Sequence, residues 1–337
     1  MGMLDHWHPV LKSGEVRRKP VAVTIAGQPL AVFRTASGGL GAVADACPHR
    51  KLKLSAGTVV GDRLRCAYHG WSYDTAGNGE SPGTPKMSAC TTSFDIREDH
   101  GLIWVKTRGS QATFPDVSMP GYLPICTLIH TVPAPLELTV DNFNEIEHSA
   151  TVHRTFGYDL ARMHEVTVRY EPTETTVRVV NAGPSKRFNW LYAWYFGAYP
   201  GDLFHDDWTV HFSPIYNVVD HWWTSPDGTR QGMIRWRLYI FFVPVDAATT
   251  KVVSITYAHS RYPGPAGALR LVRRQFRKEL DAELTADVVL LRHLSSHDTS
   301  IEGMKLSRFD KSLGLTRERI RTIYRGESAL PLPLATV

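Results

Sequence analysis

Two clusters of cysteine and histidine near the N-terminus place the strongest constraint on the fold of this 337-residue chain. Cys47 and His49 are two residues apart, Cys66 and His69 are three apart, and sixteen residues lie between the clusters. The intervening segment predicts short extended pieces with glycine turns, so two facing loops can present four ligands to one site. Zinc binds such a set tetrahedrally, and a two-iron, two-sulfide cluster binds it with the cysteines on one iron and the histidines on the other.

The arrangement of these ligands favours the iron–sulfur cluster over zinc. Zinc sites usually group like ligands, whereas each cluster here holds one cysteine and one histidine, which lets each loop reach both irons. A disulfide with two unrelated histidines is the remaining alternative, and nothing else in the sequence indicates an oxidising compartment. Two further cysteines, Cys90 and Cys126, are predicted to be free buried thiols.

The segment C-P-H, followed after sixteen residues by C-x-Y-H-G-W-x-Y, resembles the Rieske box. The resemblance implies a [2Fe-2S] cluster in which Cys47 and Cys66 bind one iron and His49 and His69 bind the other. Replacement of two thiolates by neutral imidazoles makes such a cluster less negative and raises its reduction potential.

Composition and charge exclude several other classes of protein. The net charge of +5 is dispersed, so it does not indicate nucleic-acid binding. No apolar run is long enough to span a membrane, and the N-terminal segment lacks the features of a signal peptide, which predicts a cytoplasmic protein. Gly39–Ala44 fits a dinucleotide-binding pattern, but Cys47-Pro48 follows too closely for a helix, so reduction is expected to come from a separate protein.

Basic residues near the cluster loops provide a hypothesis for that partner. They can bind an acidic electron donor by charge complementarity, or they can simply form a solvated rim, and the sequence does not distinguish the two. The residues are Arg50, Lys51, Lys53, Arg63 and Arg65.

The order of predicted elements indicates an α+β protein of two domains. Residues 1–118 are expected to form an all-β Rieske domain with alternating strands, and a segment rich in Gly, Ser and Pro ends it. Residues 119–337 are expected to form a helix-on-antiparallel-sheet domain of the helix-grip type. It contains a helical stretch from 142 to 153, seven strands, one of them at Trp190–Phe196, and one long amphipathic helix from about Ala266 to Leu294.

A second candidate metal site lies in the segment from Asp141 to His153. His148 and His153 are five residues apart, which on a regular helix would turn them about 140° away from each other. The helix must therefore end, widen or kink near 149–152 if both are to bind one metal. Two imidazoles and one carboxylate with open positions form the site of Fe(II) enzymes that activate dioxygen.

This segment resembles the iron motif of Rieske non-haem iron oxygenases, D/E-x3-D-x2-H-x4-H. The resemblance is to members of the family that consist of α-subunits only. Asp141, His148 and His153 match the motif, whereas Glu145 stands where the family usually has Asp. By resemblance, the third ligand is an Asp near the C-terminus, for which Asp298 is the prediction and Glu302 the fallback.

The resemblance also implies catalytic roles for Glu145 and Asp141. In the family, the carboxylate at the position of Glu145 links the iron-site histidine to a Rieske histidine of a neighbouring subunit, which here would be His69. A histidine ligand normally needs such a partner on its second ring nitrogen. The resemblance therefore implies a closed ring of subunits, most often a trimer.

The expected function is mono-oxygenation of a small organic molecule with O2 and electrons from a ferredoxin or an NAD(P)H-dependent reductase. Hydroxylation, oxidative demethylation and natural-product tailoring remain open. A stand-alone Rieske electron carrier and a zinc-stabilised binding protein are the alternatives. Aromatic residues expected to line the cavity suggest an apolar or aromatic substrate; they are Trp190, Trp194, Tyr195, Trp208, Trp222 and Trp223.

Overall fold

The computed structural model describes residues 1–187, 190–261 and 263–328, with the backbone alone for 191, 192, 195 and 263–268. Contacts between Cα atoms divide it into two units. The first comprises Met1–Asp116 with Val243–Ala247, and the second comprises Val117–Phe242 with Ala248–Val337. The segment Val243–Ala247 lies far from the rest of the first unit in sequence. A change in amino-acid composition along the chain could therefore not indicate that it belongs to this unit.

The first unit is built from small antiparallel sheets. Strands β1, β10 and β9 form one, β2, β3 and β4 form another, and β5 to β8 form a third in sequence order. Their bounds are β1 His8–Lys12, β2 Val21–Ile25, β3 Gln28–Arg34, β4 Leu40–Ala44, β5 Thr58–Val60, β6 Arg63–Arg65, β7 Ser72–Tyr73, β8 Gly79–Glu80, β9 Phe94–Asp99 and β10 Leu102–Thr107.

The second unit is organised around one seven-stranded sheet in the order β11-β17-β16-β15-β14-β13-β12. Long strands with short connections at β14–β15 and β16–β17 make its centre. The strands are β11 Leu123–Val132, β12 Thr167–Pro172, β13 Thr176–Pro184, β14 Leu203–Phe212, β15 Ile215–Thr224, β16 Ile234–Asp246 and β17 Thr249–Ser260.

Helix α4, Pro263–Leu291, packs against β11 and β17. Its buried apolar side chains recur every three or four residues, which is the period that puts them on one face of a helix. These residues are Leu269, Phe276, Leu280, Leu284, Val288 and Leu291. The remaining α-helices are α1 Leu136–Asn142, α2 Glu147–Thr151, α3 Trp190–Phe196 and α5 Leu313–Arg319.

The predicted fold class, an all-β unit followed by helix on antiparallel sheet, is confirmed. The predicted long helix is present, beginning and ending three residues earlier than expected. No helix among the described residues is long and apolar enough to cross a bilayer.

Three element assignments from the sequence differ from the structure. The helical stretch predicted from 142 to 153 is interrupted at 143–146, between α1 and α2, because α1 ends at Asn142. Trp190–Phe196 was predicted as a strand because aromatic residues favour strands, but it is helix α3. Tertiary packing outweighs that preference here, since buried Phe196 stacks on Trp223 at a ring-centroid distance of 5.1 Å. Strand β11 was not predicted, because the proline-rich segment before it suggested a linker. Cys90 is exposed rather than buried, whereas Cys126 is buried as predicted.

Close backbone approach in the first unit provides a test of its fold. A Cβ atom at Gly79 would lie 1.6 Å from the carbonyl oxygen of Ala89, whereas a Cβ at nearby Gly83 would meet no atom within 4 Å. Because backbone atoms would have to move, we expect Gly79→Ala to destabilise the protein by about 1–3 kcal/mol. Gly83→Ala should change stability little. Urea-unfolding midpoints measure both, and equal midpoints for the two variants would contradict the described packing.

Candidate metal centres

The first candidate centre lies on two tight loops of the N-terminal unit. Cys47 follows β4, and its N–H donates to the carbonyl oxygen of Leu52 at 2.8 Å. Cys66 follows β6, and its N–H donates to the carbonyl oxygen of Trp71 at 2.7 Å. Gly70 has a φ of 72°, so a residue without a side chain suits the turn that closes the second loop. Backbone hydrogen bonds thus position both cysteines in their loops.

Thiols and imidazoles are separated by burial in this centre. Cys47 and Cys66 are only 2% and 3% exposed and form no disulfide, whereas His49 and His69 are exposed. The two imidazole rings lie 4.5 Å apart, between centroids, and Trp71 stacks on His49 at 4.7 Å. Two inner sulfur ligands and two outer nitrogen ligands are the donor set that a [2Fe-2S] cluster of the Rieske type requires.

The hydrogen bonds of the cysteines fit the same group. Burial raises the pKa of the Cys66 thiol, and the neighbouring Cys47 adds to this effect. The Tyr73 hydroxyl lies 3.2 Å from Cys47 Sγ, where it can donate to a sulfur ligand. Because a thiol with a raised pKa holds its proton, a bound metal would be needed to keep Cys66 as a thiolate.

The second candidate centre brings together His148, His153 and Asp287. One nitrogen of each imidazole and one carboxylate oxygen all lie within 4.8 Å of one another. Helix α2 ends at Thr151, so the chain turns before His153, as the five-residue spacing required. The two rings lie 4.9 Å apart at an angle of 87°. On a continuous regular helix, the two histidines would point to different sides.

Asp287 lies between the two histidines. It projects from α4 and is 2% exposed, and its Oδ1 is 3.1 Å from His153 Nε2 and 3.4 Å from His148 Nε2. Burial alone would raise the pKa of Asp287, but hydrogen bonds with both histidines hold it well below its usual range. Burial alone would lower the pKa of His148, but hydrogen bonds to Asp287 and Glu145 raise it to about 10. A divalent cation at this point would replace that proton as the positive charge between the ligands.

Glu145 orients His148. Its Oε1 accepts a hydrogen bond from His148 Nδ1, and its Oε2 accepts one from the N–H of Glu147 at 2.5 Å. Because Glu145 holds the proton on Nδ1, Nε2 on the side of Asp287 is the nitrogen that would give up its proton to bind a metal ion. Asp287 has a further partner in Asn142, whose Nδ2 donates to Asp287 Oδ1 at 3.3 Å.

Two charged residues hold the turn that carries His153. Glu283, one helical turn before Asp287 on α4, accepts the backbone N–H groups of Arg154 and Thr155 at 3.1 and 2.8 Å. From the other side, Lys186 Nζ donates to the carbonyl oxygens of Ser149 and His153. The end of α2 is therefore held through its backbone, and the direction of His153 follows from it.

Asp298, predicted as the third ligand, is not placed with the histidines. It lies seven residues beyond the end of α4, is exposed, and its Oδ1 accepts the N–H of Ser300 at 2.9 Å. The fallback Glu302 is exposed too. The loose C-terminal motif therefore selected a carboxylate that the structure does not bring to the histidines, and Asp287 lies there instead. The sequence did contain a signal for Asp287. It is a carboxylate on the apolar face of α4, close to Glu283 and Leu284.

Asp141, predicted as a catalytic residue, contacts neither histidine in the described structure. It pairs with Arg317, whose Nε donates to Asp141 Oδ2 at 3.0 Å. Burial raises the pKa of Asp141 to about 6, although Arg317 opposes the shift. It shares a small cleft with Glu145 and Asn144, so its position is compatible with support of the α1–α2 segment.

A mostly apolar cavity adjoins the three-residue centre. It is partly open to solvent, and of the predicted aromatic residues whose side chains are described, Trp208 is the one in its lining. Trp190 and Trp194 are exposed, Trp222 and Trp223 lie outside the lining, and the side chain of Tyr195 lies outside the described residues. The aromatic lining that sequence reasoning missed comes from Phe143, Phe156 and Phe204.

Comparison with known proteins supports this description. The family profile of the Rieske [2Fe-2S] domain matches residues 6–98. The oxygenase component of chloroacetanilide N-alkylformylase from Rhizorhabdus wittichii is 30% identical over 242 residues, which cover 67% of this chain and 63% of that protein. The oxygenase component of dicamba O-demethylase from Stenotrophomonas maltophilia is 32% identical over 159 residues, covering 44% and 47%.

A solved structure extends the likeness to the whole fold. Dicamba monooxygenase bound to 3,6-dichlorosalicylic acid superposes with a TM-score of 0.76 at 21% identity, over 97% of this chain and 99% of that one. Several curated relatives are matched over only 18–46% of their length. One of them is the chloroplast protein TIC 55 of Arabidopsis thaliana.

The two candidate carboxylates can be separated by metal content. We expect Asp287→Ala to lower Fe(II) binding at the second centre at least about tenfold, because even a residue that only orients a ligand contributes that much to metal affinity. Asp298→Ala, the matched control, should bind Fe(II) as the unchanged protein does. Iron and acid-labile sulfide per chain, measured after anaerobic reconstitution, give the answer; loss of iron from the Asp298 variant alone would contradict the assignment.

Proposed function

We propose that the chain is a Rieske non-haem iron oxygenase, which uses O2 and electrons from a separate protein to mono-oxygenate an apolar or aromatic small molecule. One observation carries the proposal: the cluster of His148, His153 and Asp287 opens onto an apolar cavity. The domains proposed on this basis are the Rieske domain, residues 1–118, and a mononuclear iron domain, residues 119–337.

The proposed ligands of the mononuclear iron are His148, His153 and Asp287. Fe(II) held by two imidazoles and one carboxylate keeps open coordination positions at which dioxygen chemistry can take place. The donor set fits this ion, since it combines two nitrogen ligands with one oxygen ligand and is buried on the carboxylate side.

The surrounding residues have separate tasks in this proposal. Glu145 holds the tautomer of His148, and the backbone contacts of Glu283 and Lys186 hold His153 in place. The apolar walls bring the substrate close to the iron ligands and exclude water that would compete for the open positions. The proposed histidine ligands are therefore positioned mainly by contacts to their backbone and by hydrogen bonds from residues that do not bind the iron themselves.

Electrons are proposed to enter at the Rieske cluster bound by Cys47, His49, Cys66 and His69. The relatives are named as oxygenase components, which supports a separate ferredoxin or NAD(P)H-dependent reductase as donor. Basic residues beside the cluster loops provide a docking surface for an acidic donor: Arg50, Lys51, Lys53, Arg63 and Arg65.

Transfer to the mononuclear site is proposed to pass from His69 of a neighbouring subunit through Glu145 in a cytoplasmic homotrimer. Glu145 already binds His148 on one side, so a second hydrogen bond would complete the link. The names of the relatives, an O-demethylase and an N-alkylformylase, support removal of a substituent from an aromatic substrate over simple hydroxylation.

Replacement of His148 tests the proposed activity. We expect His148→Ala to lose substrate-dependent O2 consumption by at least about 100-fold while the visible spectrum of the [2Fe-2S] cluster stays unchanged, since the two metal sites use separate ligands. His164→Ala, at an exposed position, is the matched control. A His148 variant that still turns over would refute the oxygenase reading, and a protein that only exchanges electrons would be a Rieske carrier.

Replacement of Glu145 tests the proposed link. Glu145→Gln can still accept the His148 Nδ1 hydrogen bond but lacks the negative charge. We expect reoxidation of the reduced cluster by O2 and substrate to slow at least about tenfold, with iron content unchanged. Glu147→Gln, at the exposed position two residues on, should reoxidise normally. Stopped-flow absorbance at the cluster band measures both, and equal rates would remove Glu145 from the electron path.

A further inference from the structure

One face of the central sheet forms a wall of the cavity. Because side chains alternate along a strand, every second residue of three neighbouring strands points to the same face. The lining residues follow this rule: Phe204, Asp206 and Trp208 on β14, Val219 and His221 on β15, and Leu238 and Ile240 on β16. Asp206 and His221 are the polar pair in a wall that is otherwise apolar or aromatic.

Asp206 and His221 form one hydrogen-bonded unit. They are direct partners in the β14–β15 register, and His221 Nε2 lies 3.0 Å from Asp206 Oδ1. An ionised carboxylate can only accept, so the hydrogen belongs to Nε2, and in the neutral ring Nδ1 is then an acceptor. The ring lies against Phe156 and Phe204, with centroid distances of 5.2 Å to each.

His221 Nδ1 has no hydrogen-bond partner among the described residues and is buried. Buried polar atoms in native proteins nearly always form hydrogen bonds. A buried polar atom without a partner is less favourable in free energy than the same atom exposed to water. Because the His221 side chain lines the cavity, we assign as the partner of this atom a donor on the molecule that fills the cavity. The Asp206 contact fixes the ring, so the acceptor has a defined direction.

We propose that His221 Nδ1 accepts a hydrogen bond from the substrate, and that the substrate is an aromatic molecule carrying an N–H or O–H group, such as a phenol or an azole. His221 is thus a specificity-determining residue, and Asp206 is a positioning residue that sets its tautomer. The inference deepens the proposed function and rests on it only for the identity of the cavity as the substrate site.

Matched aromatic probes test the inference by binding alone. Indole and 4-methylphenol carry a donor, whereas 1-methylindole and 4-methylanisole have it replaced by a methylated atom. Dissociation constants are measured by calorimetry with the oxidised, iron-loaded protein in the absence of reductant. We expect the donor-bearing member of each pair to bind about fivefold more tightly, which is the contribution of one neutral hydrogen bond.

Variants assign the preference to the residue. His221→Phe should abolish the preference within both pairs, whereas His205→Phe, a histidine of β14 outside the cavity lining, should retain it. Asp206→Asn can donate to Nε2 and move the ring hydrogen to Nδ1, so it should reverse the preference. In that variant, acetophenone, which carries an acceptor, should gain affinity over cumene.

The outcomes separate this inference from the proposed function. Equal binding within both pairs, or a preference that survives His221→Phe, would overturn the role of His221 even if O2-dependent turnover is found. A preference that disappears in His221→Phe supports it, even if no turnover is detected, because binding does not require reduction or O2.

Discussion

The contact on which the second unit depends is the buried carboxylate of Asp287 between two imidazoles. A carboxylate that is 2% exposed is unfavourable without compensating charge, and two histidines within hydrogen-bonding distance supply that compensation. The same geometry is what a divalent cation needs. The long helix α4 therefore does more than cover the sheet, since it carries the only one of the three proposed iron ligands that lies outside the α2 segment.

The local structure around this contact explains why the histidines converge. Helix α2 has little more than one turn and ends at Thr151. Lys186 donates to the carbonyl oxygens of Ser149 within it and His153 beyond it, while Glu283 accepts the N–H groups that follow. A short helix has many unpaired backbone groups for its length, and here these groups provide the attachment points. Charged side chains and backbone geometry thus act on the same short segment, from Ser149 to Thr155.

The first unit reaches its ligand geometry by another route. Loops closed by their own backbone hydrogen bonds hold Cys47 and Cys66 inside and His49 and His69 outside. Most of this was predictable, because all four ligands lie within 23 consecutive residues and their spacing determines the loops. The proposed iron ligands of the second unit are spread over 140 residues, so local spacing predicted the two histidines, whereas the carboxylate that meets them lies eleven positions before the predicted Asp298.

The sequence by itself determined the fold class and the long amphipathic helix, and it predicted four ligands for the first centre and the pair His148 and His153 for the second, because each follows from short-range spacing or from periodicity. The tertiary structure alone decided that Asp287 rather than Asp298 meets the histidines, that Trp190–Phe196 is helical, and that Asp206 pairs with His221. These depend on which face of one element meets another, and that is set by packing over long sequence distances that no local pattern encodes.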